Sequence, residues 1–207
     1  HPDNYQNNMG RDYKDIINLT DMQPLTKETY EQLFETAPGT NVTFENASKE
    51  DLYWALAHPT SIIGTDAFPY LSNETGKFVQ DWDTPYESVG SHPRGAGTHA
   101  RILRLVREDD LMPLMLAISK MTYMPAKYLQ DNGVPQMANT GRIQEGMDAD
   151  IMVFDPESVK DNATPKAGGL PSTGIPYVVV NGTIVVKDSK VLKGVFPGRA
   201  VRVQPSG

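Results

Sequence analysis

The chain has 207 residues, 39% of them hydrophobic, which is enough to bury an ordinary core in one large domain or one and a half small ones. Nineteen Lys and Arg against 26 Asp and Glu leave a net charge of −7, and no basic stretch is long enough to grip a phosphate backbone, so nucleic acid is not an expected partner. No apolar run approaches the roughly 18 residues that cross a bilayer. The amino end, HPDNYQNNMGRDYKD, has no targeting pattern, and the lack of cysteine removes disulfides, thiolate ligands and thiol nucleophiles from these residues; the expectation is a soluble, cytoplasmic protein with no membrane partner.

In chain order, Ile16, Ile17 and Leu19 have helical spacing within residues 10–20, and residues 27–36 carry Tyr30, Leu33 and Phe34 on one face, so two short helices are expected. Val42 and Phe44 alternate with polar residues as in a strand. Ser48 to Asp51 reads as a capping box ahead of a helix carrying Leu52, Trp54 and Leu56, which Pro59 stops. The run Ser61-Ile-Ile-Gly-Thr-Asp66 then looks like a buried strand ending on a carboxylate, and strand, helix, strand predicts parallel α/β construction. Residues 67–97 have no period and form a long loop of the kind that carries function. Helices are expected from Thr98 to Arg107, from Leu111 to Met121 with Asp110 as cap, and around Pro125 to Leu129. Beyond residue 135 the period becomes that of strands: Asp150–Asp155, Tyr177–Lys187 with a hairpin turn at Asn181-Gly182, and Val201–Val203.

Asp66 has the position of a reactive group in an α/β barrel, at the carboxyl end of an apolar strand and the start of a long loop, although a turn-capping carboxylate would look the same. The four histidines, His1, His58, His92 and His99, form neither His-x-His nor His-x-x-x-His, so local spacing assembles no zinc site. His58 suits a helix end. His92-Pro93-Arg94 is more suggestive, because an arginine fork can hold a substrate carboxylate in two parallel hydrogen bonds. Gly95-Ala-Gly-Thr-His-Ala100 nominally fits a dinucleotide fingerprint but follows no strand, and reads as a false positive. Six Asn-x-Ser/Thr triplets, at Asn18, Asn41, Asn46, Asn73, Asn162 and Asn181, read as turn and cap residues rather than glycan acceptors. Phe68, Tyr70, Trp82 and Tyr86 either line a pocket or tie the long loop down.

Ala117-Ile-Ser-Lys-Met-Thr-Tyr-Met-Pro-Ala126, followed by Thr140-Gly-Arg-Ile-Gln-Glu-Gly-Met-Asp-Ala-Asp-Ile-Met-Val-Phe-Asp155, resembles the carboxyl-terminal pattern of the metal-dependent amidohydrolases. His92-Pro-Arg-Gly-Ala-Gly-Thr with Arg101 and Leu103, Asp161-Asn-Ala-Thr164, Gly174-Ile-Pro-Tyr-Val-Val-Val-Asn-Gly182 and Phe196-Pro-Gly-Arg199 narrow the resemblance to the N-acyl-D-amino-acid deacylases, or D-aminoacylases. The resemblance implies an α/β fold: the C-terminal portion of a TIM-like (β/α)8 barrel over residues 1–135, with 67–97 as an active-site loop, then a small β-sandwich domain over 136–207. It implies zinc-dependent cleavage of the linear amide of an N-acyl-D-amino acid, in which a metal-bound water attacks the amide. Asp66 would be the catalytic acid and base and a metal ligand, Arg94 would bind the substrate carboxylate, and His92 would orient the loop.

Two departures stand out. The family's Ser-Asp-Gly is Thr65-Asp66-Ala67 here, and the family's His-x-His strand and other zinc ligands have no counterpart in these residues. The chain is therefore expected to be a fragment, inactive alone, whose partner is the missing N-terminal barrel segment. Two other readings compete with this one: a cyclic amidohydrolase of dihydroorotase or hydantoinase type, and a non-catalytic interaction module of the same fold.

Overall fold

The computed structural model describes residues 12–19, 23–44, 47–67, 69–79, 81–164 and 166–203. His1, Asn46 and Phe68 lie outside them. The chain divides into two compact units, His1–Ala55 and Leu56–Gly207.

In the first unit Asp12 caps a 3-10 turn, Tyr13–Asp15, which leads directly into strand β1, Ile16–Asn18. Over the described residues 12–19 of the helix expected at 10–20, Ile16–Asn18 is instead a strand, as two adjacent β-branched isoleucines favour. β1 pairs antiparallel with β2, Gln23–Pro24, on one side and with β3, Val42–Phe44, on the other. Helix α1, Lys27–Thr36, forms as its period predicts, opened by reciprocal Thr26–Thr29 capping bonds. Tyr30 and Leu33 of α1 pack on buried Tyr13, Ile16 and Leu25, with the Tyr30 ring edge-on to Tyr13 at 5.5 Å. Helix α2, Lys49–Ala57, starts at Ser48, whose Oγ accepts from Asp51 N–H at 3.1 Å.

In the second unit the run 61–66 joins no ladder, so the strand expected there does not form. Every described ladder in the chain is antiparallel, so the parallel pairing expected from strand, helix, strand is not realised among the described residues. The long loop carries a two-stranded base, β4 (Leu71–Ser72) against β5 (Val89–Gly90), and ends earlier than expected because helix α3 begins at Arg94 rather than Thr98. α3 runs Arg94–Asp109 and is closed by Asp110 in the left-handed conformation, φ 49°. Asp110 thus ends one helix instead of capping the next, and α4 spans Leu114–Met121 behind Pro113. α5 follows at Tyr123–Asp131.

A 3-10 turn, Pro135–Asn139, precedes the last part of the chain, where regular structure is all β. β6 (Ile151–Val153), β7 (Tyr177–Val180), β8 (Thr183–Lys187) and β9 (Lys190–Val191) form an antiparallel meander. Asn181 and Gly182, both with positive φ, make the hairpin turn that the sequence predicts. Val201–Val203 forms no strand; the Gln136 amide meets its backbone, donating to Ala200 O and accepting from Arg202 N–H. Ala100 and Leu103 of α3 pack on fully buried Val159, ringed by Leu114, Met121, Phe154 and Ile175. Among the described residues, no helix is long and apolar enough to cross a membrane.

Candidate active site

The site forms where the run after α2 meets the first turn of α3. Pro59 ends α2, and Ser61 N–H turns back to His58 O at 3.1 Å. Lys120, on α4, then holds this segment from below. It is completely buried, and its ammonium donates to His58 O, to Ser61 O at 2.7 Å and to Ser61 Oγ at 2.7 Å. Ile63 N–H reaches Lys120 O at 3.1 Å, so both the backbone and the side chain of one residue fix the run leading to Asp66. Burial lowers the Lys120 pKa, and three oxygen acceptors make up for the hydration its charge has lost.

Arg94 is the first residue of α3, where the helix's own N–H groups already present positive charge. Arginine there raises the local potential further, which favours an anion beside it. Asp66 supplies one: its Oδ2 lies 3.0 Å from Arg94 Nη2 across 28 residues of sequence. The carboxylate is 90% exposed and the guanidinium 33% exposed, so this is an accessible pair rather than a buried structural one. Thr65 Oγ1 donates to Arg94 O at 3.3 Å, tying the two segments a second time.

His92 supports Arg94 from the preceding turn. Its Nδ1 accepts from Arg94 N–H at 3.2 Å, which puts the ring proton on Nε2, and its carbonyl accepts from Gly95 N–H. Desolvation, then the charges of Arg94 and Arg101, hold its pKa below the ordinary histidine value. A neutral imidazole at neutral pH suits the acceptor role.

Behind the start of α3 stands a second support, the segment from Asp161 to Thr173. Arg104 Nε meets Asp161 Oδ1 at 2.6 Å, and Arg107 donates to the carbonyls of Pro156 and Val159. Ser172 Oγ donates to Ala96 O at 3.1 Å. Gly168 N–H donates to Val89 O, and a Cβ at Gly168 would sit 2.4 Å from Ser91 O, so only glycine lets the two backbones approach this closely. Asn73 donates to Lys166 O at 3.0 Å, completing the contact between the long loop and this brace.

Asp66, Arg94 and His92 thus come together as one accessible cluster, a carboxylate beside a cation on a helix start. Gly95-Ala-Gly-Thr-His-Ala100 lies inside α3, and His99 is exposed on that helix. The His58 ring accepts from Thr60 in the turn after α2. Trp82 packs on Phe196 at 5.7 Å. Sequence reasoning overlooked Lys120 and the Gly168 contact. Lys120 had a signal: it falls three residues after fully buried Ala117, on the apolar face of α4. Among the described residues, no three His, Asp or Glu side chains converge to hold a metal ion. Asp66 is a single donor where a hydrolytic metal needs three or more.

The pattern of the Amidohydrolase family matches residues 19–185. An N-acyl-D-glutamate deacylase of Alcaligenes xylosoxydans xylosoxydans is 41% identical over 112 residues, 54% of this chain and 21% of that protein. An N-acyl-D-aspartate deacylase of the same organism is 30% identical over 179 residues, 86% of this chain and 30% of that protein. Two solved structures have a similar fold. A D-aminoacylase, described as defining a subset of amidohydrolases, has a TM-score of 0.64 at 25% identity over 87% of this chain and 36% of its own. The N-acyl-D-glutamate deacylase of Bordetella bronchiseptica, complexed with zinc and a phosphonate mimic of the tetrahedral intermediate, has a TM-score of 0.62 at 26% identity over 89% and 36%. The chain therefore spans between 21% and 36% of the length of these relatives. With most of its length matched and its similarity concentrated among the N-acyl-D-amino-acid deacylases, this chain belongs to the Amidohydrolase family.

Proposed function

We propose that this chain is the portion of a zinc-dependent N-acyl-D-amino-acid deacylase that supplies the proton-transferring carboxylate, Asp66, and the arginine that binds the substrate carboxylate, Arg94. The observation that carries the reading is the pairing of Asp66 with Arg94 at 3.0 Å at the exposed start of α3. An N-acyl amino acid brings a carboxylate of its own. When that group enters, it competes with Asp66 for the Arg94 fork and takes its place, which turns the Asp66 carboxylate towards the amide. Asp66 then accepts a proton during attack and returns it to the departing amine, so that the products are a carboxylic acid and a free D-amino acid. His92 keeps Arg94 in place through the Nδ1 bond, and its lowered pKa favours the neutral ring that this acceptor role needs. Zinc supplies an activated water when bound. The described residues offer it only Asp66, so the other donors belong to the rest of a complete enzyme.

In the same reading, residues 1–135 correspond to the last part of the barrel, with 67–97 as its active-site loop, and 136–207 to the small β domain. The partner of the chain is then the earlier barrel segment that carries the remaining zinc ligands. The test is the complete natural protein, purified from its source gene and assayed on N-acetyl-D-methionine, N-acetyl-L-methionine and a cyclic ureide. Hydrolysis of the D-substrate alone, abolished by a chelator and restored by zinc, is expected. Hydrolysis of the ureide alone would overturn the proposal in favour of a cyclic amidohydrolase. Residues 1–207 expressed alone are expected to hydrolyse none of the three.

A further inference from the structure

The excursion between Asp66 and Arg94 begins at Ala67 and is closed by the β4–β5 ladder, and Tyr70 is the last residue before that ladder. Its backbone is fixed, with Tyr70 O accepting from Val79 N–H at 3.0 Å. Its half-buried ring leans against the first turn of α3. A Cβ placed on Gly95 would lie 3.1 Å from the Tyr70 hydroxyl oxygen, 3.6 Å from Cζ and 3.7 Å from Ala67 Cβ. Gly95 directly follows Arg94 and Ala67 directly follows Asp66, so the space above Gly95 is shared by the phenol and by the neighbours of both site residues. The missing side chain at 95 is what gives the phenol its seat. The hydroxyl makes no hydrogen bond to any described residue, and a phenol set against backbone with no protein partner has a donor to offer an incoming group.

We propose that Tyr70 is a substrate-binding residue whose hydroxyl donates a hydrogen bond to the D-amino-acid carboxylate held by Arg94. This assignment rests on the deacylase function proposed above and extends it. The chemistry fits an anion: a phenol O–H against the residue that follows Arg94, at a helix start whose N–H groups already present positive charge, pairs best with a carboxylate oxygen. Burial raises the phenol's pKa, so the group stays a donor throughout the neutral range. The residue comes from the long loop, so the same loop that separates Asp66 from Arg94 in sequence returns a third group to the site.

The experiment compares the wild-type complete natural protein with its Tyr70→Phe variant. Both are assayed on N-acetyl-D-methionine and on N-acetyl-3-(methylthio)propylamine, the same amide without its carboxylate. Loss of a hydrogen bond to a charged group is worth about tenfold or more. On the acid, kcat/KM is therefore expected to fall about tenfold, mainly through KM, and on the decarboxylated amide it is expected to stay unchanged. D-Methionine should inhibit the variant about tenfold more weakly. An active wild type whose variant behaves identically on the acid, or loses equally on both substrates, overturns the role of Tyr70 and leaves the deacylase function standing. A wild type that turns over no N-acyl-D-amino acid overturns that function, and the Tyr70 assignment with it.

Discussion

The two sides of the candidate site are built differently. Arg94 starts a 16-residue helix braced from behind by the segment from Asp161 to Thr173, through an ion pair, a serine bond and a glycine contact too close for any Cβ. Asp66 ends a run that pairs with no strand and is tied mainly upstream, by the buried ammonium of Lys120. The firm side is the one proposed to hold a charged group that does not react. The looser side is the one proposed to carry the carboxylate that exchanges partners and moves a proton. Substitutions on the two sides should therefore differ in kind: on the Asp66 side they should lower kcat, and on the Arg94 side they should raise KM.

The largest expected effect is that of Asp66→Asn. The amide keeps the shape and cannot cycle a proton, so kcat of the complete natural protein should fall by roughly 10²–10⁴-fold with KM little changed. Steady-state kinetics on N-acetyl-D-methionine measure it, and a variant retaining wild-type kcat would remove Asp66 from the chemistry. Next comes Lys120→Met, which fills similar volume but leaves two carbonyls and a hydroxyl without their buried donor. A loss of about 3 kcal/mol in urea unfolding is expected. The milder Ser61→Ala removes one acceptor and should lower kcat while sparing KM, because the segment it loosens ends on Asp66. Gly168→Ala tests the other side. Its Cβ would press on Ser91 O and N at 2.4 and 2.6 Å, both backbone atoms, so the turn carrying His92 and Arg94 must shift. Overpacking of this kind costs about 1–3 kcal/mol, and KM should rise more than kcat falls.

How much of this was legible in the sequence follows from how local each cause is. The hairpin at Asn181-Gly182 and helix α1 were readable because turn chemistry and a 3.6-residue period act over a few neighbours. Ile16 and Ile17 were misread because an apolar run of that length fits either period until β2 and β3 arrive to pair with it. The start of α3 was placed four residues late for a related reason: Gly95 and Gly97 look like loop residues, yet they serve close packing, Gly95 against Tyr70 and Gly97 against Asp161, whose Cβ would be 3.1 Å from a Cβ at 97. Asp66 and Arg94 can each be singled out locally and the resemblance gives each a role, but their pairing across 28 residues is visible only in the fold. Lys120 was missed because its partners, His58 and Ser61, lie 62 and 59 residues away.

The smallest effect concerns how the brace itself is held, and it appears as a pH dependence. Burial alone would raise the Asp161 pKa, but the hydrogen bond from Arg104 and the charges of Arg104 and Arg101 outweigh it, and the net shift is downward from 3.8. The sign then follows. Above the unfolded value the carboxylate is ionised in both states and the folded pair contributes in full. As pH falls below that value the unfolded chain takes up a proton first, and the contribution is lost by the time pH has dropped through the folded pKa. Asp161→Asn has no such titration, so urea unfolding between pH 5 and 2 should show the wild type losing about 1 kcal/mol more than the variant, the amount expected of a partly exposed pair. Because Arg104 also reaches Glu108 at 3.0 Å, the arginine is not left bare when Asp161 is neutralised, which keeps the effect small. Equal pH slopes for wild type and Asp161→Asn would mean that the Gly168 and Ser172 contacts hold the brace without the ion pair, and that the firmness of the Arg94 side comes from close packing instead of charge.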